Sequence, residues 1–205
     1  MNKLKKSNSP RPYLSWSQYH IWKSNPEQYK QIYIYGKEGF HNQAMRLGKT
    51  LAQRMETNIN TDDTNLEQVA MFLPHSPKRE YEINTTFKKL PLYGKLDGFN
   101  PRSKKKIIRE IKTGTNWTQR KADTLEQLTF YSILVLSKYG KLPHKLYLDW
   151  VPTKRNEQGL LEIIGYVKTF ETNRTMSDIL LFFAKLKKAW SEIQTMTQTE
   201  YSIIN

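Results

Sequence analysis

Three short segments of this chain carry residues able to handle a phosphate between them. Asp97 stands in Gly94-Lys95-Leu96-Asp97-Gly98, Glu110 and Lys112 in Ile107-Ile108-Arg109-Glu110-Ile111-Lys112-Thr113-Gly114, and Gln127 and Tyr131 in Gln127-Leu128-Thr129-Phe130-Tyr131. The first two segments are rich in β-forming residues, and Asn100-Pro101-Arg102-Ser103-Lys104 between them reads as a turn, so they predict a hairpin. Alternate side chains of a strand share a face. Glu110 and Lys112 therefore point together, and Asp97 can face them from the neighbouring strand. Two carboxylates and an ammonium on one side of a sheet suit a hard divalent cation, a bound water and a phosphate; Mg²⁺ or Mn²⁺ is expected. Beside two acids the Lys112 ammonium keeps its proton, so its expected role is electrostatic stabilisation. Gln127 and Tyr131, four apart on a predicted helix, share a face.

A lone Glu-x-Lys occurs by chance in lysine-rich chains; the ordered set is far more specific. It resembles the PD-(D/E)XK nuclease superfamily, and more narrowly its RecB-like branch, where a Gly-x-x-Asp strand precedes an acid-x-Lys strand and a helix bearing Gln-x-x-x-Tyr. The branch also tends to open with a Ser-x-Ser helix running into a proline, matched by Ser15-Trp16-Ser17 and Asn25-Pro26. The resemblance implies a restriction-endonuclease-like α/β (α+β) core with a central mixed sheet flanked by helices. It implies Asp97, Glu110 and the Ile111 carbonyl as metal ligands, and Gln127 and Tyr131 as residues lining the site. One departure stands out. The branch often carries a histidine on the helix before the sheet, where this chain has Ala52 or Gln53; Glu56, one turn on, is the expected further ligand, with Glu82 as another candidate. His41 lies earlier on the same predicted helix.

The 205 residues carry a formal net charge of +14. So basic a balance attracts polyanions, nucleic acid foremost. Arg46, Lys49, Trp117, Arg120 and Lys121 are the expected contacts to it, Trp117 as a residue able to stack on a base. There are no cysteines, which excludes disulfides, thiol catalysis and the iron–sulfur cluster of the CRISPR-associated relatives in the branch. No apolar run is long enough to span a bilayer, and the basic start Met1-Asn2-Lys3-Leu4-Lys5-Lys6 lacks the apolar core of a secretory signal. The expectation is a cytoplasmic protein of bacterial or phage origin, without membrane partners.

These residues need a scaffold. Residues 1–12 read as a basic flexible arm and 13–205 as a single domain: a helical part over 13–78, a sheet core over 79–171 with the motif helix at 124–139, and a C-terminal helix over 173–197. Helices are predicted from Ser15 or Ser17 onward, over Phe40–Asn58 and over Leu66–Phe72. The period then shifts to two, predicting strands over Glu80–Leu90, Leu92–Phe99 and Lys105–Lys112. A loop over Thr113–Lys121 follows, then a helix from Leu125 to Tyr139 capped by Asp123 or Thr124, strands over Leu146–Val151 and Leu161–Phe170, and a last helix capped by Thr172-Asn173. The expected activity is metal-dependent hydrolysis of DNA phosphodiesters, as an exonuclease or with single-strand preference, in recombination, repair or phage DNA processing, with DNA and possible recombination or repair proteins as partners. The competing expectation is a degenerate nuclease fold that binds nucleic acid without cutting it.

Overall fold

The computed structural model describes residues 11–39, 43–57 and 62–204. The expected arm and His41 fall on residues outside these, the arm all but Arg11 and Pro12. A two-residue strand β1 (Leu14–Ser15) leads into α1 (Trp16–Ser24). Ser15 caps α1 in a capping box: its hydroxyl accepts from Gln18 N while its own N–H donates to Gln18 Oε1, an arrangement typically worth about 1 kcal/mol. Asn25 caps α2 (Pro26–Tyr29), which runs into a π-helical turn over Lys30–Ile34. The next helices are α3 (Gln43–Thr57) and α4 (Thr64–Phe72), the latter capped by Asp63. Then come β2 (Lys78–Phe87), β3 (Leu90–Phe99), β4 (Ile107–Gly114), a short helix α5 (Gln119–Asp123) and α6 (Glu126–Tyr139). The chain closes with β5 (Lys145–Arg155), β6 (Leu161–Ile163), β7 (Lys168–Thr172) and the 29-residue α7 (Met176–Ile204).

The result is a mixed α/β core with a mixed central sheet between helices. β2 pairs antiparallel with β3 along its length, β4 pairs parallel with β5, and β6 and β7 pair antiparallel with successive stretches of β5. A parallel pair needs a crossover connection, and α5 and α6 supply it between β4 and β5. On one face of the sheet Leu92, Leu96, Ile108 and Leu146 pack against α6, α7 and α1 through Phe130, Ile133, Leu134, Phe182, Leu186 and Tyr19. On the other, Ile111, Val151 and Ile163 pack against Leu51 of α3 and Leu66 and Val69 of α4. Burial of Gln127 through Val135 without a break makes α6 the central helix.

Some boundaries differ from expectation for physical reasons. The expected loop after Thr113 contains α5, capped by the Thr118 hydroxyl. The Thr124 hydroxyl donates back to Arg120 O, so neither Asp123 nor Thr124 caps α6; its N-cap position is Leu125. The expected strand Leu161–Phe170 is two strands, because the chain must step from the Thr153–Arg155 end of β5 to its Leu146–Trp150 stretch. Thr175, in reciprocal hydrogen bonds with Asp178, takes the capping role expected of Thr172-Asn173.

Candidate active site

The β3–β4 hairpin is open. Its strands pair only at Gly98–Arg109 and Phe99–Ile108, then part. Asp97 bridges the gap: its Oδ2 accepts from Ile111 N at 2.7 Å, where a backbone carbonyl would sit in a closed ladder. A strand residue presents its N–H and C=O to the same edge, so the Ile111 carbonyl faces this opening too. Glu110 and Lys112 turn toward α6. Lys112 Nζ lies 2.6 Å from Glu110 Oε1 and donates to Gln127 Oε1 at 2.7 Å; Gln127 Nε2 in turn donates to the Tyr131 hydroxyl at 2.9 Å. The structure thus joins Asp97, Glu110, Ile111, Lys112, Gln127 and Tyr131 in one connected constellation.

The glycines flanking Asp97 permit this closeness. A Cβ on Gly94 would stand 2.4 Å from Leu134 Cδ1, so glycine lets α6 approach the sheet and bring Gln127 and Tyr131 to Lys112. A Cβ on Gly98 would meet Ser76 Oγ at 2.4 Å. The opening is a cavity of about 370 Å³, roofed by Ala44, Gly48, Ala52 and Met55 of α3 and floored by Asp97, Glu110, Ile111 and Lys112.

Two further cavity residues escape sequence reasoning: Arg79 and Glu80. The β2–β3 register places Glu80 opposite Asp97, between the pairs Arg79–Gly98 and Tyr81–Leu96. Glu80 adopts φ +48, rare for a residue with a side chain, and its carboxylate pairs with Lys95 at 2.8 Å. Glu82 is exposed on the same strand, within hydrogen-bond reach of Tyr93, and Glu56 is exposed and lines a neighbouring cavity instead. Met55 takes the inward position in the last turn of α3, which leaves Glu56 to the side. The third carboxylate of the cavity is therefore Glu80.

Burial pushes the Asp97 carboxyl well above its ordinary range, and the Glu110 charge adds to this. Burial likewise raises Glu110, with Lys112 pulling against it. For Lys112, burial alone would favour losing the proton, but the Glu110 carboxylate outweighs it and the pKa is raised, so the ammonium stays charged. Burial and the nearby carboxylates keep the Tyr131 hydroxyl protonated. A folded carboxyl with a raised pKa retains a proton that the unfolded chain has released, so the native state is penalised as pH rises above about 4, the unfolded carboxylate pKa. Asp97→Asn, whose Oδ1 can still accept from Ile111 N, is therefore expected to raise the thermal midpoint of the metal-free protein at neutral pH. The gain should vanish below about pH 4, where Asp97 itself is neutral. A midpoint for Asp97→Asn equal to or below wild type at pH 7 would contradict this reading of the site.

The fit to a divalent cation rests on the donors. Glu110 Oε2 is buried with no hydrogen-bond partner among the described residues, and it shares the cavity with Asp97, the Ile111 carbonyl edge and Glu80. Among the described residues no three His, Asp or Glu side chains converge into a ready ligand group. Asp97, Glu110 and the Ile111 carbonyl would hold the ion with water completing its shell, as suits Mg²⁺, which keeps several waters.

The expected nucleic-acid residues lie outside the cavity. Arg46 and Lys49 are exposed on α3, and Arg120 and Lys121 are exposed on α5. Trp117 is half-buried and packs beside Ala122, Leu148 and Phe170, which anchors the loop after β4. Among the described residues no helix is long and apolar enough to cross a membrane.

No protein-family model and no curated protein matches the chain. Among solved structures it is similar to a candidate exonuclease from Eubacterium rectale, at 14% identity and a TM-score of 0.60 over 92% of this chain and 82% of that one. It also resembles an alkaline exonuclease from Laribacter hongkongensis, at 10% identity and a TM-score of 0.42 over 94% and 93% of the two chains. The first likeness establishes a shared fold; the second is too weak to bear on fold or function.

Proposed function

We propose that the chain is a metal-dependent nuclease of the PD-(D/E)XK superfamily, in its RecB-like branch, that hydrolyses DNA phosphodiesters. Residues 13–205 would act as one nuclease domain. The observation that carries this is the convergence of Asp97, Glu110 and Lys112 on one cavity, with a buried Glu110 oxygen left unpartnered there. The fold shared with a candidate exonuclease agrees with it. When bound, Mg²⁺ or Mn²⁺ would polarise the scissile phosphate and make a water nucleophilic near neutral pH. Asp97, Glu110 and the Ile111 carbonyl would hold the ion. Lys112, fixed by Glu110 and Gln127, meets the negative charge that grows on the phosphate during attack. Tyr131 holds the Gln127 amide so that its oxygen stays turned to Lys112. The roof of α3 over a cavity of 370 Å³ favours a single strand or a chain end over uninterrupted duplex. Roles in recombination, repair or phage DNA processing fit such an activity.

The test is incubation with end-labelled single- and double-stranded DNA in Mg²⁺ or Mn²⁺, with EDTA as control. Metal-dependent release of mononucleotides or short products is expected; DNA binding without cleavage under any condition would leave a non-catalytic nucleic-acid-binding module as the function. The +14 charge adds a further expectation. DNA affinity should fall steeply with salt, because phosphate contacts release counterions, and the slope should shrink by about one unit for each contacting residue removed among Arg46, Lys49, Arg120 and Lys121. Affinity indifferent to salt between low and physiological strength would assign the charge to another purpose.

A further inference from the structure

Next to the catalytic cavity lies a second one, of about 600 Å³, within the range of ligand pockets. The two meet at Met55 and Arg79, which line both. Their charge balance differs. The first holds three carboxylates, Asp97, Glu110 and Glu80, against Lys112 and Arg79, whereas the second is lined by Arg54, His75, Lys78 and Arg79, with Glu56 as the acid among its described lining residues. Arg54 is committed to Glu67 at 2.8 Å. Arg79 is only half committed: one guanidinium nitrogen donates to Pro74 O at 2.7 Å, while Nη1 is buried with no hydrogen-bond partner among the described residues. A buried donor left unpaired is costly, and a guanidinium fork matches phosphate oxygens. Arg79 pairs in register with Gly98, one residue from Asp97.

We propose that Arg79 forms an anion subsite at this junction, which holds the phosphate next to the one being cut and seats the adjoining nucleotide in the second cavity. The proposal rests on the nuclease reading and extends it: the strand would leave the acidic cavity by passing Arg79, so its phosphates exchange a cation-filled site for a fixed positive charge.

The test uses the full chain carrying Asp97→Asn and a 5′-fluorescein ten-nucleotide oligothymidylate, read by anisotropy in EDTA. Adding Arg79→Ala is expected to weaken binding about 10- to 100-fold, the usual loss for a hydrogen bond to a charged group, and to lower the salt slope by about one. Arg79→Lys should restore the slope but not the full affinity. In the cleavage-competent protein, a neutral methylphosphonate linkage beside the scissile position should raise KM with little change in kcat, and should have no added effect in Arg79→Ala. Binding within twofold of the parent by a folded Arg79→Ala protein would overturn the subsite, as would equal sensitivity to the neutral linkage in both proteins. Should Arg79→Ala fail to fold, Arg79→Lys and the linkage scan on the otherwise unaltered chain decide, since no sensitive linkage beside the cut also overturns it. A wild-type chain that cleaves no nucleic acid yet shows the Arg79 binding loss would sink the nuclease reading and leave the subsite standing.

Discussion

Asp97→Ala or Glu110→Ala is expected to abolish metal-dependent cleavage while DNA binding stays largely intact. The two carboxylates do different things, which sharpens the comparison. Glu110 offers a buried oxygen with no other partner among the described residues, so its removal takes away a ligand and also strips Lys112 of its 2.6 Å partner. Asp97 offers one oxygen to Ile111 N. Alanine there also orphans a backbone donor, at about 1–3 kcal/mol. Asp97→Asn separates these effects, since it keeps an acceptor for Ile111 but lacks the charge a cation needs. Parallel measurement of cleavage, DNA affinity by anisotropy and folding by circular dichroism makes the distinction. Near-wild-type cleavage by either alanine variant sinks the assignment.

Lys112→Ala should lower the cleavage rate by roughly two to three orders of magnitude, the loss seen when one preorganised electrostatic group is removed. Its ammonium is set by two fixed acceptors, Glu110 Oε1 and Gln127 Oε1, and the raised pKa keeps it charged across the working pH range. A charge held in place before the substrate arrives needs no reorganisation during attack. Metal affinity, read by calorimetry with Mn²⁺, should change little, because the lysine neutralises the acids without completing the ion's shell. A collapse of metal binding in Lys112→Ala would instead make the lysine a structural partner of the carboxylates.

The two strands of the site and the helix beyond them were legible because each carries its own local pattern: alternation around Asp97 and Glu110, and a largely apolar stretch from Leu128 to Val135 stopped by Gly140 and Pro143. The register between β2 and β3 was not. It depends on a turn centred on Lys88-Lys89, both of which adopt positive φ. Asn-Gly would have marked such a turn; two lysines do not, and the expected strand ran on to Leu90. Without that register, nothing in the sequence distinguishes Glu80 from Glu82 as the acid across from Asp97. Glu56 was named from the branch's pattern and its place one turn past the missing histidine, neither of which says that Met55 takes the inward place. Arg79 carried no local signal either, since its significance lies in two cavities meeting at one side chain. The short helix α5 was missed because four of its five residues are polar and Ala122 alone gives no apolar period, and Arg174, donating to Ala122 O and Leu125 O from a distant loop, contributes to its position.

The open hairpin has a consequence for how copies of this chain behave toward one another. β3 is paired on its second edge only at its ends, with β1 at Leu92–Tyr93 and with β4 at Gly98–Phe99. Among the described residues the stretch between has no strand partner on that edge, in the middle of a sheet. Unpaired strand edges are templates for pairing with another chain, and proteins that keep them must guard them. This one is short, carries the charged Lys95, and gives onto a cavity that α3 covers. The helix that roofs the cavity therefore also stands over this edge, one of the ways an unpaired strand is shielded. Any opening wide enough to admit a polymer is, for that interval, an opening through which a second copy could add a strand.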